Sequence, residues 1–78
     1  MKTLTKLFEA VNGGSWLLKS VKESRDGSRY IFRAETRFFQ GFEKQNSAEI
    51  YASKAYADRL CRHYFGCKTS ELKRFTYE

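Results

Sequence analysis

The chain has 78 residues, 15 Lys or Arg against nine Asp or Glu, and a formal net charge of +6 with a pI near 9.6. A chain this short makes one domain, residues 1–78, and buries only about 60–65% of the surface it exposes when unfolded. Little volume is left for a closed catalytic pocket, and no run approaches the roughly 20 apolar residues that a membrane span needs.

Seven Phe, five Tyr and one Trp supply core area from few residues, which suits a small fold. The charge is spread along the chain with no basic tail, so any electropositive patch must be made by folding. Net charge bears on partners, not on fold.

From the N-terminus, Leu4, Leu7, Phe8 and Val11 fall at i, i+3, i+4 and i+7, the stripe of a short amphipathic helix. With Thr3 as N-cap and Gly13 as the terminating glycine, the spacing predicts a helix over about 3–12. The apolar start is broken by Thr5, Lys6 and Glu9, so it does not read as a secretory leader. Two cysteines without such a leader point to a reducing cytoplasm and free thiols.

Trp16 to Ser24 reads as a strand, and Asp26-Gly27 is the strongest short hairpin signal in the chain. Arg29 to Gln40 reads R-Y-I-F-R-A-E-T-R-F-F-Q, with two faces at period two. One face is Tyr30, Phe32, Ala34, Thr36 and Phe38. The other is Arg29, Ile31, Arg33, Glu35, Arg37 and Phe39. Same-face arginines lie roughly 13 Å apart. A two-residue Asp26-Gly27 loop pairs Glu23 with Tyr30, Val21 with Phe32, Lys19 with Ala34 and Leu17 with Thr36 on the apolar side. On the charged side it pairs Lys22 with Ile31, Ser20 with Arg33, Leu18 with Glu35 and Trp16 with Arg37. The hairpin thus spans 16–40.

Gln40-Gly41 turns or bulges the chain, and Phe42–Gln45 is a candidate third or edge strand. Asn46 with Glu49 three residues on fits a capping box. Ile50, Ala57, Leu60, Cys61, Tyr64 and Phe65 then share one helical arc, which predicts a helix over about 47–65 ended by Gly66. A rival reading puts a strand at 48–52 and starts the helix at Ser53; the place of Ile50 on the arc favours the longer helix. Thr69 to Tyr77 has no helical stripe and reads as an edge strand or ordered tail.

The expected fold class is α+β: a small antiparallel sheet packed on one face by two helices. The element order is similar to that of the double-stranded-RNA-binding domain. Ser53, Lys54 and Ala57 match that family's second-helix start, while its glycine-containing turn before this helix is missing. The resemblance is one of topology and excludes residues 66–78.

Two groups of cations are candidate binding residues. The first is Lys22, Arg29, Arg33 and Arg37 on the sheet, with Trp16 beside Arg37. It could follow a phosphate backbone while Trp16 stacks on a base. The competing structural account is a solvated face on which Glu35 pairs with an arginine. The second is Arg59, Arg62 and His63 on the helix, continuing to Lys68, Lys73 and Arg74. Cations also suit a helix C-terminus for its dipole alone. Cys61, His63 and Cys67 are too few for a structural zinc site, so no metal is expected. No nucleophile motif, phosphate loop or carboxylate pair stands out, so neither catalysis nor a cofactor is expected.

These residues point to a non-enzymatic, cytoplasmic module that binds nucleic acid, DNA or RNA, through the arginine-bearing sheet face. The alternative is a small accessory protein, resembling phage-encoded inhibitors of the anti-CRISPR kind, that docks on an acidic surface of a protein or nucleoprotein complex. No membrane partner is expected. An edge strand offers a route to a homodimer.

Overall fold

A computed structural model describes residues 3–36 and 46–72. In chain order these form α1 (Leu4–Asn12), β1 (Trp16–Glu23), β2 (Arg29–Thr36), β3 (Ser47–Ser53), α2 (Lys54–Phe65) and a short α3 (Thr69–Leu72). The strands make one antiparallel sheet in the order β1-β2-β3, with the helices packed against it, so the fold is α+β.

Thr3 caps α1 by accepting the Lys6 amide, and Leu4, Leu7 and Phe8 are buried beneath the helix. Gly13 is the C-cap at the other end, where the sequence places it, its amide donating to the Glu9 carbonyl. Gly13 stays right-handed, while Gly14 takes the left-handed turn at φ 82°. Its amide donates to Val11 and that of Ser15 to Ala10, which satisfies two carbonyls at the helix end.

The hairpin joins β1 to β2 through five residues, 24–28, in place of the expected two-residue loop. Ser24 donates its amide to the Arg29 carbonyl, and Gly27, at φ 76°, donates to the Ser24 carbonyl. The ladder beside the loop is the expected one: Glu23 faces Tyr30, Lys22 faces Ile31, Val21 faces Phe32 and Ser20 faces Arg33. Beyond it the register shifts, because Lys19 is an extra residue in β1. Leu18 then faces Ala34, Leu17 faces Glu35 and Trp16 faces Thr36. A bulge sends every later side chain of its strand to the other side. Leu18 therefore enters the core at 3% exposure, and Leu17 moves to the open face.

The helix expected over 47–65 is corrected to 54–65, preceded by a strand. Ala48, Ile50 and Ala52 alternate toward the core, whereas on a helix these three would scatter around its circumference. As a strand, the segment extends the ladder of β2 from Arg29↔Ser53 to Glu35↔Ser47. Ser53, not Asn46, caps the helix, its hydroxyl accepting the Tyr56 amide. Asn46 instead closes the sheet, exchanging backbone and side-chain hydrogen bonds with Thr36. The candidate strand 42–45, together with Arg37 and the rest of 37–40, lies outside the described residues. So do residues 73–78. Within the expected tail, Thr69–Leu72 is a short helix.

Phe8 is the hub of the core. Its ring meets Phe32, Tyr64 and Phe65 edge-on, with centroids 5.3, 5.7 and 4.9 Å away. Such pairs add about 0.5–1.5 kcal/mol each beyond the area they bury. Lys54 ties the start of α2 to β1 through Glu23 at 3.3 Å and lies over the Tyr30 ring. Asp58 accepts the Thr69 amide and the buried Thr69 hydroxyl donates to the Cys61 sulfur, so α3 is fastened to α2.

Candidate nucleic-acid interface

The helices pack on one side of the sheet, and among the described residues no element covers the other, open side. Its rows across the strands are Lys22–Ile31–Tyr51, Ser20–Arg33–Glu49 and Leu17–Glu35–Ser47, with Arg29 beside Ser53 at the hairpin end. Each row spans about 10 Å, since neighbouring strands lie roughly 4.8 Å apart.

Charge is not even along this face. Arg33 forms an ion pair with Glu35 at 3.3 Å and has Glu49 as its cross-strand neighbour. Among the described residues, that end of the face carries no net positive charge. At the hairpin end, Lys22, Arg25 and Arg29 are exposed and form no ion pair with another described residue. Arg25 and Arg29 line an open groove of about 490 Å³ with Ser24, Ser28, Ile31 and Tyr51.

Asp26 also borders that groove, but its carboxylate is engaged within the loop. It accepts the Ser28 amide and the hydroxyls of Ser24 and Ser28 at 2.7–3.1 Å. These bonds, the Ser28 amide first, hold its pKa down at about 2. The Ser24 hydroxyl oxygen in turn accepts the Arg29 amide, so one short network fixes the loop and the start of β2.

Tyr51 is the site residue that the sequence reading missed. Read as part of a helix, it had no face; on β3 it stands beside Ile31 and is 54% exposed. The signal was present in the alternation of Ala48, Ile50 and Ala52 with Glu49 and Tyr51. Its hydroxyl donates to Glu49 at 3.2 Å, which together with the charge of Glu49 pushes the phenol pKa up.

The residues singled out from sequence do not form one site. Trp16 is corrected to the core side: the bulge turns it from the arginine face, and it is half-buried against the core cluster. Lys22, Arg29 and Arg33 share the open face. Arg59 and Arg62 are exposed with His63 on the side of α2 turned away from the sheet, around a shallow groove completed by Ala55 and Asp58. Arg37, Lys73 and Arg74 lie outside the described residues.

Burial pushes the Cys61 pKa up to about 11 and raises that of Cys67 as well. His63 points outward while Cys61 is buried, and among the described residues no three His, Cys, Asp or Glu come together as metal ligands. Among them, too, no helix is long and apolar enough to cross a membrane.

Fold and site together define a small α+β domain with an open sheet face that is cationic at its hairpin end. No protein-family model, curated protein or solved structure matches this chain.

Proposed function

We propose that the protein is a non-enzymatic nucleic-acid-binding module of the cytoplasm that holds phosphates at the hairpin end of its open sheet face. The observation that carries this reading is a groove in which Arg25 and Arg29 stand with the exposed Tyr51 and the half-buried Ile31, Lys22 being the cross-strand neighbour of Ile31. Cations gain affinity for a polyanion by releasing its counterions, and aromatic rings on a cationic surface add contacts to bases. Arg33 contributes less, because phosphate must compete there with Glu35.

The test is binding of fluorescent single- and double-stranded DNA and RNA across a salt series. Three phosphate contacts to a single strand give a slope of log K against log salt near about −2. Affinity that does not respond to salt contradicts the reading.

The same Tyr51 and Arg side chains have the make-up of a protein-docking hot spot. A small inhibitor that seats this face on an acidic patch of a protein or nucleoprotein complex is the second reading. It is favoured if oligonucleotides fail to bind while a protein co-purifies after nuclease treatment and is lost with Arg29→Glu.

A further inference from the structure

We infer that the open sheet face takes single-stranded rather than duplex nucleic acid, with one unpaired base stacked on the Tyr51 ring and the neighbouring phosphates held by Lys22 and Arg29. This rests on the nucleic-acid reading above and names its substrate class.

Tyr51 belongs to a strand whose alternate residues, Ile50 and Ala52, already supply the core on the opposite side. Its ring adds nothing to that core and is 54% exposed. Its polar end is served within the strand, because the hydroxyl donates to Glu49 two residues back. What remains for a ligand is the ring itself, a flat apolar surface extended on one side by the half-buried Ile31. Arg29 lies diagonally across from it on β2 and Lys22 at the far end of its row on β1, so both cations lie to one side of the ring. A ring beside cations on an exposed sheet suits a strand whose bases can splay outward while its backbone follows the charge.

A duplex cannot use this arrangement. Its bases are paired and stacked inside, so a flat face meets mainly phosphates. The cationic part of the face is short, because Glu35 and Glu49 stand at its other end. A duplex lying across the sheet brings phosphates toward those carboxylates, whereas a single strand can keep to the hairpin end. The two ligands therefore share the cations, and only the single strand gains the stack. One base on one ring corresponds to roughly 5- to 150-fold in affinity.

The experiment titrates the 78-residue chain at low salt with a short fluorescent oligoadenylate, as DNA and as RNA, free or annealed to its complement. Wild type is compared with Tyr51→Ala, Tyr51→Phe and the pair Lys22→Glu with Arg29→Glu, each checked by circular dichroism. The expected result is single strands bound about tenfold tighter than duplexes. Tyr51→Ala should remove that preference by weakening single strands alone, and Tyr51→Phe should keep it. Single-strand affinity unchanged by Tyr51→Ala, or duplexes bound as tightly as single strands, overturns the inference. If the charge-reversal pair still abolishes binding in that case, the nucleic-acid reading survives and base stacking alone falls. If wild type binds no oligonucleotide at low salt, both fall.

Discussion

Two surfaces of this small domain carry exposed cations, and they differ in what accounts for them. On the outer side of α2, Arg62 and His63 occupy the last turn, where a positive charge is favourable to the helix dipole. The helix itself gives those charges a reason to be there. On the open sheet face, Lys22 and Arg29 sit at no helix end, and Tyr51 in the same part of the face is 54% exposed. Cations count as a site only after the local stability they supply has been subtracted. By that measure the hairpin end of the sheet is the stronger candidate.

The comparison depends first on which side of β1 is open. The bulge at Lys19 puts Leu18 in the core and Leu17 outside it. Leu18→Ala should therefore cost about 2–5 kcal/mol in urea unfolding. Leu17→Ala should cost less than about 1 kcal/mol, since a half-buried side chain leaves a smaller cavity. A larger cost at Leu17 than at Leu18 would mean the regular register and would return Trp16 to the charged face.

The two surfaces can then be set against each other directly. Lys22→Glu with Arg29→Glu should weaken nucleic-acid binding by about 100-fold at low salt, read by fluorescence anisotropy. Arg59→Glu with Arg62→Glu changes net charge by the same amount and should cost only a few-fold, through long-range field alone. The reverse order of effects would move the site to α2.

Smaller effects test the supports of the two surfaces. Ser53→Ala removes the cap that starts α2 and should lower stability by about 1 kcal/mol, read by thermal or urea unfolding, with little effect on binding. Asp26 offers a pH test. Its pKa is depressed from 3.8 to about 2, so its stabilising bonds are present above the unfolded value and lost as pH falls from near 4 toward 2. Carboxyl NMR should place its midpoint near 2, with the hairpin amides exchanging faster below it. In Asp26→Asn that acid-dependent loosening should disappear.

Much of the fold was legible in the residues, and the failures have physical causes. Helix α1 declared itself through its cap and its Leu4, Leu7, Phe8 stripe. The hairpin register near the loop followed from the alternation of β2, because a core face at Tyr30, Phe32 and Ala34 admits one partner alignment with Val21 inside. The bulge had no such marker, since Leu17 and Leu18 are equally apolar and either can serve the core. Ile50 misled in the same way, fitting both a helical arc and a strand, while Ser53 and Asn46 both offered caps. That ambiguity hid Tyr51, whose exposure follows only from a strand. Of the site, the cations Lys22 and Arg29 were legible from period two, and the neutralisation of Arg33 by Glu35 was legible as a competing account.

The most direct measurement is a ¹⁵N-labelled NMR titration of the protein with a short single-stranded oligonucleotide at low salt. The account predicts that the largest shift changes fall on the amides of Lys22, Arg25, Arg29, Ile31 and Tyr51, with Arg59 to His63 nearly still. Shift changes concentrated on α2, or none anywhere, would contradict it.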